Sequence, residues 1–139
     1  MIDLQPTTCN LCGGSVIFTS NRIVYGKEYG SGKCYYCTSC HAYVGTHKPR
    51  PTEALGLLAN PEMRKMKMQC HERFDAFWKQ EPSSRKRHIA RHNAYRKLAD
   101  AMGIPLAECH FGYFNLDELQ KAYQILCSWD NTPQKGETK

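Results

Sequence analysis

KCYYCTSCHAY, residues Lys33 to Tyr43, sets three cysteines three positions apart, at Cys34, Cys37 and Cys40. It holds two overlapping C-x-x-C pairs, and their reading decides the fold of the first third of the chain. A further pair stands upstream in CNLCGG, at Cys9 and Cys12. Structural zinc sites take four thiolates in a tetrahedron, and each C-x-x-C turn brings two sulfurs to one point with backbone amides turned toward them. Two such turns at the ends of short strands make a zinc ribbon. Cys37 and Cys40 suit the second turn better than Cys34 and Cys37. CTSCHA keeps short polar residues inside the turn, whereas the rival pair would enclose Tyr35 and Tyr36, bulky residues that favour a strand. The expected ligands are therefore Cys9, Cys12, Cys37 and Cys40, with Cys34 and His41 as alternates. Four sulfurs fill the tetrahedron, and metal catalysis needs an open position, so one structural Zn2+ is expected.

Outward from this motif, residues 1–48 have a β-type composition. SVIFTS, RIVYG and KCYYC read as short strands, separated by turn material such as GKEYGSG. So small a segment lacks the core to fold alone, and structural zinc, worth on the order of 10–16 kcal/mol in small peptides, supplies the deficit. HKPRPT reads as a linker because its prolines exclude regular pairing.

Beyond residue 48 the pattern turns helical. Asn60 is a good N-cap and Pro61 suits the first helical position. Met63, Met66, Cys70, Phe74 and Phe77 then follow on one stripe, with Trp78 at its edge. A second helix starts at Ser83 or Ser84 and ends at MGIP, with Gly103 as its left-handed cap. A third begins at Asn115, where NLDE forms a capping box, and carries Leu116, Leu119, Tyr123 and Leu126. The reading is an α+β protein: a zinc ribbon of short antiparallel strands over 1–48, about three helices over 49–129, and a disordered polar tail over 130–139.

The chain of 139 residues has a formal charge of +6 and eight cysteines. MIDLQPTTC lacks the basic-then-apolar pattern of a secretory leader, and no apolar run is long enough to span a membrane. A reducing cytoplasm is expected, where cysteines serve as metal ligands or free thiols. The charge is uneven. Arg85, Lys86, Arg87, Arg91, Arg96 and Lys97 fall between Ser83 and Ala99 with no acid among them. Such a run favours an anionic partner, nucleic acid first, though basic runs also serve as solvated helix faces.

On a helical projection Ala94, Leu98, Ala101 and Met102 point inward, while Arg85, His92 and Arg96 project away, flanked by Lys86 and Lys97. These cations are the candidate phosphate contacts. Tyr35 and Tyr36, among the ribbon's tyrosines, are the candidate platforms for unpaired bases. Arg87 and Arg91 share the azimuth of the core residues. Either the helix outruns its core there, or they pair with buried acids. His88 and His92 stand one turn apart but lack the glutamate base of an H-E-x-x-H helix. Cys70-His71 and Cys109-His110 form two ligand-type pairs that would make a second zinc site only if they converged. A cysteine within an apolar stripe reads more simply as a small buried hydrophobe.

CNLCGG, IVYGKEYG, YYCTSCHAYVGTHK, LGLLAN, HERFDAFW, AYRKLADAMGI and CHFGYF, in that order, resemble the zinc-finger-containing domain family met in phage, prophage and bacterial genomes. The resemblance runs from about Cys9 to Phe114. It implies the two pairs at Cys9, Cys12, Cys37 and Cys40 as metal ligands and leaves Cys34 out. Thr38 stands where the family tends to have proline, which implies a looser second turn. The resemblance assigns no activity. The expected function is thus a small, phage- or prophage-associated binding protein that contacts nucleic acid through a basic helix and an aromatic ribbon. The alternative is a phage-type accessory protein that binds a host protein. No catalytic carboxylate cluster or complete metal–base set points to an enzyme.

Overall fold

The computed structural model describes residues 2–130, so the tail expected from residue 130 onward lies outside it apart from Asp130, which closes the last helix. The fold is α+β, a three-stranded antiparallel sheet with four helices. It divides into two compact units, Met1–Arg64 and Lys65–Lys139. No described helix is long and apolar enough to cross a membrane.

The first unit is built on β1 (Val16–Ser20), β2 (Lys33–Cys37) and β3 (Tyr43–Gly45), in that order across the sheet. Ile17 lies opposite Tyr36, and Tyr36 opposite Tyr43. Alternation puts Tyr35, Cys37 and Val44 on one face, where they pack with Ala42, Ala54 and Leu58. RIVYG, read above as a strand, is instead a single helical turn, α1 (Arg22–Tyr25). The buried Asn21 overrides its β-type composition. Its carbonyl accepts from Val24 and Tyr25, and its side chain clasps the backbone of Tyr29 through bonds of 2.8 and 3.2 Å. Gly26 then ends the turn at φ 80°, a left-handed conformation that glycine adopts freely.

HKPRPT, read above as a linker, and the residues that follow it to Asn60 are more than a plain connection. Ala59 bridges Tyr43, Leu55 N–H donates to Gly45, and Ala54 N–H donates to Leu4. Ala54, Leu58 and Ala59 are buried, so the first unit runs on to Arg64. LGLLAN is apolar without helical period, because it follows the sheet through bends as a cover that buries Leu58 and Ala59.

The division between units falls within α2 (Pro61–Asp75), whose first turn is capped by the Asn60 side chain accepting from Met63 N–H at 2.8 Å. In the second unit, α3 (Ser84–Met102) is capped by Ser83 and ended by Gly103 at φ 71°. Two 3-10 turns, Leu106–Glu108 and Phe111–Tyr113, lead to α4 (Leu116–Asp130). The expected capping box is present, with Asn115 and Glu118 exchanging bonds of 2.9 Å. Phe74 sits at the centre of the core, edge-on to Phe111 and against Tyr95. Leu98, Leu119 and Leu126 are fully buried with it. The inward face of α3 is turned from the expected one: Ala99 is buried and Ala101 exposed, because the packed arc takes in Tyr95 and Ala99.

Candidate metal centre

Two turns of the chain, Cys9–Gly14 and Cys37–Ala42, have the same backbone pattern. In the first, Cys9 N–H donates to Gly14 C=O and Gly13 N–H to Cys9 C=O. In the second, Cys37 N–H donates to Ala42 C=O and His41 N–H to Cys37 C=O. Amides also point at the sulfurs. Leu11 N–H lies 3.3 Å from Cys9 Sγ, Gly14 N–H 3.3 Å from Cys12 Sγ, and Ser39 and Cys40 N–H 3.4 Å from Cys37 Sγ. Such donors stabilise thiolates.

The turns face each other and bring four sulfurs together. Cys9 and Cys40 Sγ are 3.7 Å apart, Cys12 and Cys37 Sγ are 3.5 Å apart, and all four lie within 4.8 Å of one another. A tetrahedral zinc thiolate with bonds of about 2.3 Å has sulfur–sulfur edges of about 3.8 Å. The donor set and its spacing therefore fit one zinc ion. Electrostatics agree. The amides of Cys40 and Ser39 and the neighbouring thiols lower Cys37 to about 6. The amide of Ala42 favours the Cys40 thiolate too, but loss of water and bonds to the other three sulfurs outweigh it and raise Cys40 to about 12. Four thiols this close cannot all ionise without a cation among them.

Cys34 stands apart. It is fully buried, and burial raises its thiol pKa, as expected of a strand residue facing away from the cluster. His41 is not in the cluster either. It takes φ 69° at the position that Gly13 fills in the first turn, with φ 77°, and its Nδ1 shares a 2.6 Å hydrogen bond with the Tyr36 hydroxyl. Thr38 ties the second turn down. Its N–H and Oγ1 both donate to Ser15 C=O, at 2.9 and 3.0 Å, and a proline there would lack the first donor.

Three supporting residues escaped the sequence reading. Asn10 exchanges two 3.0 Å bonds with the backbone of Leu58, holding the first turn to the cover segment. Gly14 allows the turns to meet, since a Cβ there would lie 2.6 Å from Ser39 Oγ and 3.1 Å from Cys37 Sγ. Ser15 supplies the carbonyl that receives Thr38. An asparagine inside a C-x-x-C turn and paired glycines after it are the signals that could have found the first two.

The candidate nucleic-acid residues fare unequally. Arg85, Lys86, His92, Arg96 and Lys97 are all exposed on α3, and Lys97 Nζ lies 4.5 Å from the Trp129 ring centroid. Tyr36 is half-buried. Tyr35 is a correction: it is 6% exposed, sits in the core and donates its hydroxyl to Thr52 C=O at 2.6 Å, so its ring is closed to a base. Arg87 and Arg91 lie where α3 outruns its core, since its buried residues begin at Ala94. Arg87 donates to Glu81 C=O, and Arg91 lies over the rings of Trp78 and Tyr95. No buried acid is involved.

The second zinc site does not assemble among the described residues, whose one cluster of three or more metal-ligand types is the four-cysteine group. Cys70 donates to Leu119 C=O, and burial raises it to about 12 and Cys109 to about 11. His71 packs on Phe111 and His110 on Tyr113. These are core thiols and aromatic contacts.

The model of a zinc-finger-containing domain family matches residues 5–128, and the chain belongs to that family. No curated protein and no solved structure matches it.

Proposed function

We propose that this zinc-finger protein binds nucleic acid through the outer face of α3 and is not an enzyme. The observation that carries the reading is the exposed set Arg85, Lys86, His92, Arg96 and Lys97, for which no acid among the described residues forms an ion pair. Exposed cations along one helix, with no ion pair to a described acid, suit a run of phosphates, and each contact releases condensed counterions. The metal supports a binding role, because four cysteines leave no open coordination position for a substrate or a reactive water. The phage or prophage setting rests on the sequence resemblance. A reducing cytoplasm is supported by eight free cysteines.

The test is fluorescence anisotropy with single- and double-stranded DNA and RNA across a salt series. Each phosphate contact contributes a slope of about −0.7 to −0.9 in log K against log salt. Changing Arg85, Arg96 and Lys97 together to Ala should flatten the slope by roughly two to three units and leave zinc content and helicity unchanged. Failure to bind any of the four nucleic acids at low salt would overturn the reading and assign this face to an acidic protein partner.

A further inference from the structure

The face of the three-stranded sheet opposite the core is not bare. Ile17, Tyr36 and Tyr43 form a cross-strand row on it, following the register of the three strands. Tyr25, at the end of α1, stands edge-on to Tyr43 at 6.1 Å between centroids, and Tyr29 edge-on to Tyr25 at 5.5 Å. Tyr25 is 49% exposed, Tyr29 51% and Ile17 41%. Two large rings left half in water, beside a third apolar side chain at Ile17, form an exposed apolar patch of the kind that marks a binding surface.

The charges on this face indicate what covers it. Arg64 places its guanidinium 4.0 Å from the centre of the Tyr43 ring, where a 2.6 Å bond to Ala59 C=O holds it. Lys27 Nζ lies 5.3 Å over Tyr29. The neighbouring acid, Glu28, accepts from the Ser20 hydroxyl at 2.7 Å, so two cations stand against this one carboxylate. Rings paired with cations offer stacking for bases and counter-charge for the phosphates between them. A duplex hides the faces of its bases, whereas an unpaired strand presents them. An apolar protein surface would gain nothing from Arg64 and Lys27 and would have to desolvate both.

We infer that the outer side of the sheet, through Tyr25 and Tyr29 with Lys27 and Arg64 as counter-charges, is a stacking platform for single-stranded nucleic acid. The inference rests on the nucleic-acid reading above and adds to it a second surface and a substrate class. Base–aromatic stacking lost on alanine substitution is worth roughly 5- to 100-fold in affinity per ring.

The experiment uses the whole zinc-loaded chain with a short oligothymidine, a mixed-sequence single strand and the matching duplex. Tyr25→Ala and Tyr29→Ala should each weaken both single strands by roughly 5-fold or more and barely change the duplex. Tyr25→Phe and Tyr29→Phe should restore single-strand binding, because stacking needs the ring and not the hydroxyl. Zinc content near one per chain checks that each variant is folded. Equal loss on single strands and duplex would overturn the platform. So would unchanged binding in the alanine variants while the α3 triple variant still flattens the salt slope, an outcome that leaves the helix reading standing. No binding to any strand by the unaltered protein would overturn both.

Discussion

The two units bury their side chains by different means. In the first, the cluster on the sheet holds seven buried residues, and two of them, Cys9 and Cys37, are sulfurs of the metal site. Its sheet is three short strands, with Cys34 buried on the other face and Tyr36 and Tyr43 partly buried there. In the second, Phe74, Phe111, Leu98, Leu119 and Leu126 are fully buried, and its two deep thiols, Cys70 and Cys109, stay protonated and act as apolar groups. Cysteine therefore plays opposite roles in one chain. Where backbone amides converge on sulfurs and the sulfurs converge on each other, it is a ligand. Where it is surrounded by carbon, it is packing.

The largest expected effect separates the units on this ground. Removing the metal by chelation, or by Cys37→Ser, should disorder the first unit, since structural zinc contributes on the order of 10–16 kcal/mol in small peptides. Far-UV circular dichroism should retain much of the helical signal, because the aromatic core of the second unit contains no ligand. Cys34→Ala should keep one zinc per chain. Loss of all helix with the metal would erase the contrast between the units and make them one cooperative structure.

The converse perturbation comes next. Phe74→Ala removes the ring on which Phe111 and Tyr95 pack and should cost about 3–5 kcal/mol. That is a large part of the stability of any small domain. Helix should melt at much lower temperature, while elemental analysis still finds one zinc. Zinc loss in this variant would show that the first unit depends on the second.

What could be read from the sequence follows the same division. Cysteine spacing is a direct record of metal geometry, so the ligand set and the exclusion of Cys34 were both legible. The caps at Asn60, Ser83, Gly103 and Asn115 were legible for a like reason, since each is a local bond between near neighbours. The misreadings turn on contacts and faces that composition does not record. RIVYG has strand composition but turns helical around the buried Asn21. The linker reading stopped at HKPRPT, and the cover segment after it is held by Asn10, some fifty residues earlier. Tyr35 and Tyr36 look alike in the sequence, but they point to opposite faces of β2, and the first is buried while the second is half-buried. For Arg91 the sequence left two readings open, and the first holds: the helix outruns its core there, and Arg91 lies over the rings of Trp78 and Tyr95.

Within the first unit, the two cysteine turns invite a finer comparison. They share their backbone bonds, yet close approach is permitted from one side only. Gly14→Ala would set a methyl group 2.6 Å from Ser39 Oγ and 2.8 Å from its Cβ, and should cost about 1–3 kcal/mol. In competition against a chelator this is a loss of roughly 5- to 150-fold in apparent zinc affinity. Adding Ser39→Gly should recover part of the loss, because it removes both of the nearest atoms and leaves only the longer contact to Cys37 Sγ. An unrescued Gly14→Ala would mean that the contact with Cys37 Sγ, and not with Ser39, sets the requirement for glycine.

The smallest effect asks why the turns differ at their left-handed residue. Gly13 takes φ 77° without steric cost, whereas His41 takes φ 69° with a side chain, a conformation that costs roughly 1–2 kcal/mol for most residues and less for those that tolerate it. The bond between Tyr36 and His41 Nδ1 offsets part of that cost, and it lies at the surface, where a hydrogen bond contributes only about 0.5–1.5 kcal/mol. His41→Gly trades one for the other and should leave chelator resistance within roughly threefold of the unaltered protein, since these terms nearly cancel. His41→Val adds a β-branched side chain at positive φ and should be measurably worse. The pair of variants also decides the role of the histidine. If His41 only turns the chain, glycine serves and valine does not. If His41→Gly releases zinc as readily as Cys40→Ser, the imidazole is a ligand in solution, and the likeness of the two turns stops at their backbone.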